Sequence, residues 1–154
     1  MSHPEFYIEI KKYLETKPAS HKLFSYLSDD VEIGIVIEER LSCSYFKQNG
    51  APAFENRPAK KPDIVFLFSA DGVETILKHS GEDLGEFILE VLKLTLASQI
   101  KVKVPGHLPR LLMAGYVQAL RGCYKTLYPF LAAHGVSSLT KIPQVIAKLK
   151  SLKP

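Results

Sequence analysis

Five histidines, two cysteines and the paired acids Glu82 and Asp83 are the side chains from which this 154-residue chain could build reactive chemistry. A histidine or cysteine metal site needs ligands a few residues apart on one helix or turn. His3, His21, His79, His107 and His134 show no such spacing. Cys43 and Cys123 stand far apart and belong to no CxxC motif, so they read as reduced thiols of a cytoplasmic protein. Glu82 and Asp83 open a helical pattern, where first-turn acids complement the helix dipole and need no catalytic role. No GxSxG, HExxH, P-loop or GxGxxG pattern occurs. His79 and His134 lie beside helix ends, where a histidine caps or is solvated, whereas His107 precedes a very apolar run and is a candidate for a pocket mouth. The expectation is a protein that is not an enzyme and holds no metal and no cofactor.

The elements that would position a binding site carry more information. Hydrophobic residues make up 46% of the chain and charged residues 23%, the usage of a folded globular domain. The length fits a single domain over residues 1–154. The N-terminus carries charges where a signal sequence needs an apolar stretch, and no run approaches the roughly 20 apolar residues of a membrane span. The net charge of +4 is uneven: residues 1–90 hold every acid and carry −6, and the remainder carries +10. Either the C-terminal part meets an anionic partner, or the fold brings the two parts together and the surface averages out. No compact basic-aromatic platform points to nucleic acid.

Periodicity predicts two N-terminal helices within residues 5–28, the second capped by Ser20. "VEIGIVIEER" alternates as a half-buried strand. "LSCSYFK" and "APAFEN" follow as strands around the Asn49-Gly50 turn. "DIVFLFS" has no polar face and reads as a central strand covered on both sides. A short helix capped by Ser69 or Asp71, a longer one near 81–98, and the strand "IKVKV" come next. The apolar run from His107 reads as helix with a bend or break at Gly122 or Pro129, followed by a C-terminal helical extension within 122–153. Strands clustered together indicate an α+β fold, with helices packed on an antiparallel sheet.

Two helices are apolar nearly all round. In the first, Glu82, Asp83, Glu86, Glu90 and Lys93 form one narrow polar stripe. In the second, Arg110, Gln118 and Arg121 do the same. A surface helix normally needs an apolar arc of little more than about 100°. Three explanations stand: burial by other helices, a subunit interface, or a flank that lines a ligand cavity. The cavity reading places Phe66, Phe68, Phe87, Val91, Leu94, Leu112 and Tyr116 on the lining, around a volume of roughly 300–1,000 Å³.

The segment from Val31 to Leu120 resembles the sterol carrier protein domain of the nonspecific lipid-transfer type. The Asp-led apolar strand Asp63 to Phe68, the capped helix Ser69 to Leu77, the helix Leu84 to Leu96, the Lys-alternating strand Ile100 to Val104, Gly106, and the helix Leu108 to Leu120 follow the family pattern in order. "VPGH" departs from the usual strand end, and the following helix is longer. The resemblance implies an antiparallel sheet of about five strands with helices enclosing an apolar tunnel. It implies binding or transfer of a lipid, fatty acyl or sterol-like molecule without covalent chemistry. The alternative is a protein-interaction or oligomerisation module using the same apolar helices. In the last segment, Lys141, Lys148, Lys150 and Lys153 stand among apolar residues at steps of three and four. That pattern either docks on an anionic membrane surface or packs on the domain.

Overall fold

A computed structural model describes residues 2–135. Two helices, α1 (His3–Thr16) and α2 (Pro18–Tyr26), precede three strands, β1 (Glu32–Ile37), β2 (Leu41–Gln48) and β3 (Ala51–Glu55). After a polar connector come β4 (Ile64–Phe68), α3 (Ala70–Lys78), α4 (Leu84–Leu96) and β5 (Ile100–Lys103). Three short helices follow: α5 (Leu108–Ala114), α6 (Tyr116–Gly122) and α7 (Tyr124–Ala133). The protein has an α+β fold with one five-stranded sheet in the order β3-β2-β1-β4-β5.

Local chemistry accounts for most boundaries. Ser2 caps α1, and Ser69 caps α3 by accepting the Gly72 N–H at 3.0 Å. Asp83 caps α4 by accepting the Glu86 N–H at 2.9 Å. Asn49 and Gly50 both have positive φ, as a two-residue hairpin turn requires. Glu38 and Glu39 adopt positive φ as well, between β1 and β2, with no Gly or Asn to signal it.

Three features depart from the sequence expectations. First, the sheet is mixed. β1 pairs antiparallel with β2 but parallel with β4, because the β2–β3 hairpin occupies one edge of β1 and the connector returns the chain to the other. Second, Ser20 is no cap: α2 begins at Pro18, a residue suited to a first turn, and Ser20 is buried inside the helix against Tyr45. Third, the helix after His107 breaks already at Gly115, a break not expected from sequence; of the two expected positions, Gly122 ends α6 and Pro129 stays inside α7. Gly115 has φ +99°, and a Cβ there would run into the Tyr26 carbonyl oxygen. Only glycine lets the α5–α6 corner sit on the end of α2.

The inner sheet face is set by register. Ile35 pairs with Phe66 and Ile37 with Phe68, and these phenylalanines pair in turn with Val102 and Ile100. Lys101 and Lys103 stand opposite Leu67 and Val65 on the other face. β4 is central in its pairing, yet all five of its residues are only half-buried. It is therefore not sealed on both faces, as its composition had indicated.

Candidate functional site

The inner face does not close on itself. A cavity of about 200 Å³ lies between the sheet and the helices. Phe66 and Phe68 of β4 form its floor with Ile33 and Ile35 of β1 and Val102 of β5. Ile10 and Tyr13 of α1, Val73 and Ile76 of α3, and Phe87, Ile88, Val91 and Leu92 of α4 supply further walls. Leu111, Tyr116, Leu120, Leu127 and Leu131 add the contribution of α5, α6 and α7. No charged side chain among the described residues belongs to the lining. Such a surface gains from excluding water and offers nothing to a polar group.

The wall at Tyr116 is backed by an ion pair that fixes α5 to the sheet. Asp63, directly before β4, is buried. Its carboxylate accepts from Arg110 Nε at 3.0 Å and from the Tyr116 hydroxyl at 3.2 Å. Arg110 also donates from Nη1 to Asp30 at 2.9 Å. Hydrogen bonds from Ser28 and then Arg110 hold the Asp30 carboxyl below its ordinary range. Burial, with Asp63 beside it, pushes the Tyr116 phenol far up, so it remains a proton donor at any physiological pH. A buried carboxylate requires partners of this kind, and here they come from two helices at once.

The remaining candidate chemistry has structural employment. His79 Nδ1 accepts the Gly81 N–H at 3.0 Å, and its ring packs edge-on to Phe87. His134 Nδ1 lies 2.8 Å from the Phe130 carbonyl at the end of α7. His107 precedes α5, is exposed, and does not belong to the cavity lining. Cys43 and Cys123 are free and buried, and burial pushes the Cys43 thiol up to about 11, which removes the thiolate a reactive cysteine needs. No cluster of metal-ligating side chains occurs among the described residues.

Comparison with known proteins adds little beyond this geometry. No family model matches the chain, and no curated protein matches it. Among solved structures it is similar to a chain described as "UbiJ-SCP2 Ubiquinone synthesis protein", at 11% identity and a TM-score of 0.45, over 78% of this chain and 93% of that one. It is also similar to part of the stereoselective inverting sec-alkylsulfatase Pisa1 from Pseudomonas sp., at 14% identity and a TM-score of 0.36. That match covers 61% of this chain and 14% of the sulfatase.

Of the seven residues placed on the lining from sequence, the structure brings Phe66, Phe68, Phe87, Val91 and Tyr116 together around the cavity. Leu94 does not belong to the lining and lies instead in the solid core, 7% exposed, with Phe87 and Val91 packed against the same cluster. Leu112 faces outward at 42% exposure, because the short α5 turns Leu111 inward and its neighbour away. Sequence reasoning gave no site role to Asp63 or Arg110. The available signal was one arginine in an otherwise greasy helix and one aspartate leading a wholly apolar strand. The cavity is smaller than the range expected from sequence. Lys141, Lys148, Lys150 and Lys153 lie outside the described residues. No helix among the described residues is long and apolar enough to cross a membrane.

Proposed function

We propose that this protein binds a hydrophobic small molecule, a lipid or fatty acyl chain, in the cavity beneath α4, and performs no covalent chemistry on it. One observation carries the reading: a cavity of about 200 Å³ whose lining, drawn from both the sheet and the helices, contains no charged side chain among the described residues. A close-packed core leaves few voids larger than a water molecule, so a space of this size is a departure that costs stability. An apolar cavity of about 150 Å³ holds one benzene ring. The volume here thus suits an acyl-chain segment or a single ring better than a fused sterol nucleus. Affinity would come from apolar burial at roughly 25 cal/mol per Å², reduced by the ordering of ligand and walls. Transfer between membranes is an extension of this reading and needs a docking surface in addition to the cavity.

The test is native mass spectrometry of the purified full chain, together with titration of the headless fluorophore diphenylhexatriene. The reading requires a copurified apolar molecule or saturable one-to-one binding of the fluorophore or of toluene. A chain that carries nothing and takes up neither the fluorophore nor toluene, a single ring of the size the cavity admits, overturns it. The same spectra separate it from the oligomerisation alternative, which requires a stable multimer with no small molecule bound.

A further inference from the structure

Among the described residues, four that line the cavity carry polar side-chain atoms: Tyr13, Tyr45, Thr95 and Tyr116. Each is already engaged by the protein. Tyr13 donates to the His79 carbonyl at 3.0 Å, and Thr95 donates to the Val91 carbonyl at 2.8 Å. Tyr45 is paired with the buried Ser20 hydroxyl. Tyr116 donates to Asp63 at 3.2 Å, where the carboxylate is itself held by Arg110. The last of these differs in kind, because its acceptor is a buried anion rather than a backbone carbonyl. A phenol donating to a carboxylate gives up that bond at a higher cost than one bonded to a neutral group.

We propose that the Asp63–Tyr116 pair is a specificity-determining element: it keeps the Tyr116 proton from the lumen, so the cavity takes a plain hydrocarbon end and refuses an end that carries a hydrogen-bond acceptor. The inference rests on the ligand reading of this same cavity. A ketone, ester or carboxylate oxygen entering the lumen loses its water and finds no replacement donor at this wall. It would have to pull Tyr116 away from Asp63, leaving the buried carboxylate with Arg110 alone. The polar part of a two-ended ligand therefore stays outside the cavity. Removing the Tyr116 hydroxyl reverses the logic. The Asp63 oxygen then loses its Tyr116 donor directly behind a lining residue, and a ligand hydroxyl that reaches past the ring edge at position 116 can donate to it.

The experiment uses the full chain with diphenylhexatriene as reporter and displaces it with three acids of equal length. These are decanoate, its analogue with a ketone one carbon from the terminal methyl, and ω-hydroxydecanoate. The ketone acid should displace the reporter at least roughly tenfold less well than decanoate, the scale of one unpaired buried polar group. In Tyr116→Phe, ω-hydroxydecanoate should gain on decanoate by at least roughly fivefold relative to the wild type. The same two acids are compared on both proteins, so their different solubility in water cancels. Equal displacement by decanoate and the ketone acid in the wild type overturns the proposal, and so does an unchanged hydroxy-acid ratio in a folded variant. If Tyr116→Phe fails to fold, Asp63→Asn decides: with a neutral acceptor the Tyr116 hydroxyl is released more easily, so the gap between decanoate and the ketone acid should narrow, and an unchanged gap in the folded variant overturns the proposal. If neither the reporter nor toluene binds the wild type, the ligand reading itself fails, a result distinct from binding without discrimination.

Discussion

The two halves of the sheet's inner face are built from similar residues and end in opposite states. On the β3–β2–β1 side, α1 and α2 lie directly on the strands, and Phe24, Phe54 and Ile37 are wholly buried. The rings of Tyr7, Phe54, Tyr45 and Phe24 pack in series, Phe24 meeting Tyr45 edge-on at 4.7 Å between centroids. Towards β4, Phe66, Phe68, Phe87 and Tyr116 are equally bulky but only half-buried, and they surround a cavity that the packed side meets at its margin through Tyr45, Ile33 and Ile35. Bulk and apolarity do not decide whether a region closes. Closure depends on whether a helix lies flat against the strands. On the second side, α5 and α6 are anchored to the end of α2 and to Asp63, through the Gly115 corner and Arg110, rather than laid along β4.

That contrast can be broken by truncation. Phe54→Ala on the solid side should lose about 3–5 kcal/mol of stability, because a large ring is removed from a site that cannot collapse. Phe66→Ala, whose ring already borders empty space, should cost less, about 1–2 kcal/mol. Urea unfolding of both variants measures the difference, and equal losses would mean that the two sides are packed alike.

Filling the space sharpens the contrast in the other direction. Val91→Trp should occupy the cavity and weaken diphenylhexatriene binding at least tenfold, at a stability change within about 1–3 kcal/mol. Retained binding in a folded Val91→Trp protein would place the ligand elsewhere.

A smaller effect is expected at the far side of the sheet from the cavity. Burial opposes the Glu32 charge, but the N–H groups of Lys61 and Lys60, the Ser44 hydroxyl and Arg57 outweigh it and hold the carboxyl below its ordinary 4.5. A depressed acid contributes stability that is fully present above the unfolded value and is lost as pH falls through the folded one. Glu32→Gln should therefore be less stable than wild type at neutral pH, and the gap should narrow as pH drops below 4.5. Thermal melts across that range check the sign, and a constant gap would show that Glu32 acts by shape alone.

The smallest expected effect is at Leu112. Being exposed and outside the lining, its change to Arg should leave reporter binding unchanged. Sedimentation of Leu112→Arg beside the wild type tests the oligomer alternative on the same variant. A wild-type dimer split by this change would move the function of α5 from cavity wall to interface.

Local rules were enough for what repeats locally. Alternation along Ile33, Ile35 and Ile37, the Asn49-Gly50 turn, the Ser69 cap and the wide apolar arc of α4 each depend on neighbours a few residues away, and each was legible in the chain. They determined an α+β fold with an excess of apolar surface on two helices. What that excess does was not legible, because burial, an interface and a cavity all demand the same residue types. Tertiary structure made the choice. It set β1 parallel to β4, left Leu94 and Leu112 out of the lining, and gave Asp63 partners 47 and 53 positions along the chain in Arg110 and Tyr116. Periodicity records which face of an element is apolar. The position of one element over another depends on contacts between residues distant in sequence, and here that position leaves half of the inner face packed and half open.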